Sequence, residues 1–65
     1  MEKFVNDLKA KAEAGDAQAQ HELGLCYEKG DGVTADRKRA ADWLIRAAEQ
    51  GYEKAIAKLQ ELNLQ

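Results

Sequence analysis

The sequence predicts an all-α domain built from stacked helix pairs, and three observations predict it. Ala, Leu, Glu, Lys, Gln and Arg dominate the 65 residues, β-branched residues are few and proline is absent, a composition that favours helix throughout. The chain also repeats itself. AKAEAGDAQAQHEL (residues 10–23) and RAAEQGYEKAIAKL (residues 46–59) align without a gap at an offset of 36, so that Ala12 meets Ala48, Glu13 meets Glu49, Gly15 meets Gly51, Ala19 meets Ala55 and Leu23 meets Leu59. A period of that length belongs to helix-pair repeats. Finally, apolar residues recur at helical spacing between glycine stops. The reading is a single domain over 1–65, four antiparallel helices forming one full 36-residue unit flanked by half units.

Each helix follows from its own signals. The first is predicted over about 2–14, with Phe4, Val5, Leu8 and Ala12 on one stripe at 100° per residue. Gly15 supplies the stop and Asp16 a cap for the next helix. The second, about 17–29, turns Ala19, Leu23, Cys26 and Tyr27 to a common face, and the GDGV loop ends it. Asp36 caps the third, about 37–50, whose apolar arc holds Ala40, Ala41, Trp43, Leu44, Ala47 and Ala48. Gly51 stops that helix as Gly15 stops the first. The fourth, about 53–62, repeats the second, with Ala55, Ile56 and Leu59 expected to face inward.

Size and charge narrow the function classes. A 65-residue domain buries only about 60% of its unfolded surface, and twelve of its apolar residues are alanine. That core suffices for helix packing but not for a catalytic cavity with supporting residues, so an enzyme is not expected. The net charge of −2, with signs well mixed, argues against nucleic acid and membrane surfaces as partners. No apolar run approaches a membrane span and no signal-peptide core is present, which leads to the expectation of a cytoplasmic protein. One cysteine forms no internal disulfide.

Residues 23–51, LGLCYEKGDGVTADRKRAADWLIRAAEQG, resemble the Sel-one-like repeat (SLR) family, relatives of the tetratricopeptide repeat. The positions that carry the likeness are Leu23, Gly24, Tyr27, Gly30, Gly32, Val33, Asp36, Arg39, Ala40, Trp43, Arg46, Ala47, Ala48, Glu49 and Gly51. The resemblance implies a right-handed α/α solenoid fragment and a role in protein–protein interaction or complex assembly. Family members usually carry several repeats, whereas this chain holds one with flanking halves.

The stretch LGLCYEKGDGV looks chemical but reads as architecture. Gly30 and Gly32 form a turn, since a phosphate loop needs a preceding strand and more glycines. Cys26 lies on the buried stripe as a small hydrophobe, with His21 about 140° around the helix from it. His21-Glu22 begins like a zinc-protease motif, yet Leu25 stands where a second histidine would fall, and the chain has one histidine in all. Zinc needs three or four ligands; no metal and no cofactor is expected. Arg37-Lys38-Arg39 reads as a solvated face, with a docking patch for an acidic partner as the alternative. Trp43 reads as core.

What remains is surface. Leu25 interrupts the polar face of the second helix, a single exposed leucine being ordinary. By the resemblance, the first helix of each pair lines the concave, partner-binding side. That places Gln18, His21, Leu25 and Glu28 in a groove, with Lys54, Ala57 and Glu61 as their equivalents 36 residues on. An apolar anchor ringed by polar groups suits a protein or peptide partner. The first helix, with Asn6, Asp7, Lys9 and Lys11, looks like a polar cap. Ile45, Leu62 and Leu64 mark the opposite end as open, because solenoids need about three repeats and capped ends. A homo-oligomer through that end is therefore the alternative function. A small inhibitor or immunity-type protein that blocks an enzyme is another, resting on the resemblance alone.

Overall fold

The computed structural model describes residues 2–63, and side chains from Val5 to Asn63. Four helices follow one another: α1 (Glu2–Glu13), α2 (Ala17–Lys29), α3 (Arg37–Glu49) and α4 (Glu53–Asn63). No strand occurs among the described residues. Each helix packs on its neighbour in sequence, and α2 with α3 share the most extensive interface. The arrangement is an all-α helical-repeat solenoid.

The repeat is legible in the turns. At the end of α1, the Gly15 N–H donates to the Ala12 carbonyl and the Asp16 N–H to the Lys11 carbonyl, both at 3.1 Å. Thirty-six residues on, the Gly51 N–H donates to Ala48 at 2.8 Å and the Tyr52 N–H to Ala47 at 3.2 Å. The same orphan carbonyls are thus satisfied by the same means in both half-units. Asp16 caps α2 by accepting from the Ala19 N–H at 3.0 Å. Asp36 caps α3, accepting from the N–H groups of Lys38 and Arg39 at 3.0 and 3.2 Å.

The GDG segment is a helix end. Gly30 sits at φ 77° and its N–H donates to the Cys26 carbonyl, a left-handed conformation that glycine adopts without a Cβ penalty. The Asp36 N–H then donates to the Tyr27 carbonyl at 2.8 Å, tying the start of α3 to the end of α2. Val33 packs half-buried against the core.

The core forms two linked clusters. Val5, Leu8, Ala12, Ala19, Leu23, Tyr27 and Ala40 hold α1, α2 and the start of α3 together, with Cys26, Val33 and Trp43 half-buried against them. Leu44, Ala47 and Ala55 hold α3 to α4, with Ala48, Tyr52, Leu59 and Leu62 alongside. Gly24 lets the clusters meet: a Cβ there would stand 2.8 Å from Leu44 Cγ and 3.1 Å from the Ala40 carbonyl oxygen. Small residues bring the α2 and α3 axes close.

One inward assignment is corrected. Ile56 is not a core residue; it is 38% exposed. Its equivalent 36 residues earlier is Gln20, whose amide oxygen accepts from Gln50, the residue that caps the end of α3, and among the described residues no helix stands over α4 in the same way. Ile45 is 44% exposed at the same end. Leu62 does not share that exposure; it folds back against the Leu44 cluster. Phe4 lies outside the described side chains, and Leu64 outside the described residues.

Candidate protein-interaction site

α2 and α4 both pack on α3, and side chains bridge the groove between them. At the N-terminal end of this groove the His21 ring meets Tyr52, centroids 5.4 Å apart and tilted by 54°. At the C-terminal end Lys58 Nζ lies 3.1 Å from Glu28 Oε1 and 3.9 Å from Glu61 Oε1. Leu25 is half-buried, one helical turn from His21 and one from Glu28. By register it stands about opposite Ala55, which is fully buried.

The sequence-derived residues divide accordingly. His21 and Glu28 reach across to α4, and Lys54 and Glu61 stand exposed along its edge. Gln18 lies apart, toward α1, lining a depression with Leu8, Lys11, Asp16, Ala19 and Glu22. Two residues that complete the groove, Tyr52 and Lys58, escape the sequence reading. Lys58 had a visible signal, lying one turn after Lys54 and one before Glu61. Tyr52 had a subtler one: it occupies the cap position that Asp16 fills in the preceding unit.

Electrostatics distinguish the two ends. Partial burial holds the His21 pKa below its ordinary value, helped by Lys54 and Lys58 and opposed by Glu22. The uncharged imidazole is thereby favoured, and Lys54, which makes no ion pair among the described residues, supplies positive charge there. At the other end one ammonium serves two carboxylates, leaving excess negative charge on Glu61, whose side chain is 66% exposed.

The other chemistry-bearing residues are placed structurally. Burial, then Asp31 and Glu22, raises the Cys26 thiol pKa, the opposite of what an activated nucleophile needs. Among the described residues no three His, Cys, Asp or Glu side chains converge as metal ligands would. Arg39 pairs with Asp36 at 3.5 Å and lies 5.8 Å from the Tyr27 ring centroid. Arg46 lies 4.6 Å over the ring of Trp43, a cation–π contact that covers this half-buried aromatic from solvent. Gln20, only 5% exposed, is a buried polar residue that sequence periodicity did not single out. Its amide donates to the Ala12 carbonyl at 2.9 Å and accepts from Gln50 at 3.0 Å, and Gln50 also donates to the Gly15 carbonyl at 3.0 Å. No helix of the described residues is long and apolar enough to cross a membrane.

Comparison with known proteins gives a consistent answer. The Sel1 repeat profile matches residues 17–52, from the start of α2 through the turn after α3. Chitin synthase regulatory factor 3 of Schizosaccharomyces pombe is 49% identical over 50 residues, covering 77% of this chain and 5% of that protein. Secretory immunoglobulin A-binding protein EsiB of Escherichia coli is 53% identical over 43 residues, covering 66% of this chain and 9% of its own length. DAP3-binding cell death enhancer 1 of Rattus norvegicus is 36% identical over 61 residues, covering 94% and 12%. The chain spans about an eighth or less of the length of these relatives. No solved structure matches it significantly. The profile covers more than half of the residues and coincides with one helix pair and its turns: the chain belongs to the Sel1-repeat family, whose members are generally protein–protein interaction modules.

Proposed function

We propose that this chain is a non-catalytic adaptor that binds a protein or peptide on the groove between α2 and α4. One observation carries the reading: Leu25 lies half-buried between two side-chain bridges, His21–Tyr52 and Glu28–Lys58. An apolar side chain set between polar groups is the usual construction of a small binding hot spot. Two relatives are named for a protein they bind, secretory immunoglobulin A and DAP3, which supports an interaction role.

Affinity capture with the immobilised chain, followed by titration of the purified partner, tests this. Leu25→Asp is expected to weaken binding at least tenfold, about 1.4 kcal/mol or more, with helicity retained by circular dichroism. Lys54→Glu, an exposed change that leaves the core untouched, is expected to weaken or shift it as well. Unchanged affinity in both variants overturns the assignment of this surface.

Self-association is the second reading. Two exposed isoleucines, Ile45 on α3 and Ile56 on α4, favour it.

A further inference from the structure

The groove is not electrically uniform, and its polarity describes what it holds. Its aromatic end carries Lys54 with no ion-pair partner among the described residues, beside His21, whose pKa is lowered by burial, Lys54 and Lys58 against the opposing effect of Glu22. The opposite end carries Glu28 and Glu61 around the single ammonium of Lys58. Between them on α2 stands the half-buried Leu25. Lys54 and Glu61 are seven residues apart on α4, a separation of about 10 Å along the helix.

An extended chain matches these intervals. Residues i, i+2 and i+4 of a strand point the same way and span about 13 Å, so one central side chain reaches the Leu25 floor while its outer neighbours reach the two ends. Because side-chain bridges cross the groove at both ends, the space suits side chains rather than a helix about 10 Å wide. We propose that this groove recognises an extended peptide segment with one acidic and one basic residue, two positions either side of an apolar residue. The acidic side chain pairs with Lys54, the apolar one covers Leu25, and the basic one pairs with Glu61. This rests on the groove being the binding surface.

The test is a titration of the labelled chain by nuclear magnetic resonance, using synthetic peptides with the cores Asp-Thr-Leu-Thr-Lys, Asp-Thr-Leu-Thr-Asp and Lys-Thr-Leu-Thr-Lys. The dipolar peptide is expected to bind about fivefold tighter than either like-charged one, as two exposed ion pairs against one allow. It should shift His21, Leu25, Lys54 and Glu61 while leaving Trp43 unmoved. The preference should shrink in 0.5 M salt, where exposed pairs are screened. In Lys54→Glu, both ends become acidic and Lys-Thr-Leu-Thr-Lys should become the tightest ligand. Equal binding of all three peptides in the groove overturns the charge rule and leaves the groove standing. Shifts elsewhere, or none with any peptide, overturn both.

Discussion

At the scale of single residues, Gly24 and Gln20 do work that their types conceal. Glycine inside a helix costs about 1 kcal/mol relative to alanine, so an isolated α2 would gain from Gly24→Ala. The folded chain would not, because the new Cβ would meet Leu44, which is fully buried, and the backbone carbonyl of Ala40. Overpacking of this kind costs about 1–3 kcal/mol. Gly24→Ala is therefore expected to lower stability by about 1 kcal/mol, read as a reduced urea midpoint. A rise in the midpoint would show that propensity outweighs the contact. Gln20 resolves the opposite difficulty. Its burial is tolerated because its amide bonds to Ala12 and to Gln50, so a polar group in the interior keeps its partners.

At the scale of elements, the helices owe their limits to caps and their positions to small side chains. α3 begins with Arg37, Lys38 and Arg39, positive charges at the end where the helix dipole disfavours them. Asp36 offsets this by accepting two backbone N–H bonds and by pairing with Arg39. Asp36→Ala is expected to destabilise the protein by about 1 kcal/mol. Asp36→Asn should restore most of the loss, since the amide oxygen still caps the helix. Chemical denaturation of the three proteins decides between the roles: if Asn is as damaging as Ala, the charge rather than the cap matters. All three residues of the basic triplet are exposed, and Arg39 also pairs with Asp36 and lies over the Tyr27 ring.

At the scale of the whole molecule, the two ends of the stack are unlike. Exposed Asn6, Asp7 and Lys11 on α1 contrast with exposed Ile45 and Ile56 at the α3–α4 end. The offset of 36 also sets Gln60 where the preceding unit has Gly24, so a helix cannot approach α4 there as closely as α3 approaches α2. If copies associate through this end, light scattering should show a mass that falls on dilution. The exposed double substitution Ile45→Lys and Ile56→Lys should then yield a monomer of nearly unchanged stability, surface changes costing within about 0.5 kcal/mol. A monomer at every concentration in the unsubstituted chain would remove the self-association reading.

The sequence by itself determined the four helices, their order and the 36-residue repeat. Those rest on local chemistry: the glycine stops, the Asp16 and Asp36 caps, and apolar spacing that any reader can count. The family resemblance, with the 36-residue offset, brought Gln18, His21, Leu25, Glu28, Lys54 and Glu61 into consideration. Only the tertiary structure decided which of them meet. Tyr52 on His21, Lys58 on Glu28, the outward turn of Ile56 and the bond from Gln50 to the buried amide of Gln20 all depend on the distance and rotation between helices. Those are set jointly by packing across the chain, as at Gly24 and Leu44, and periodicity along one helix holds no record of them.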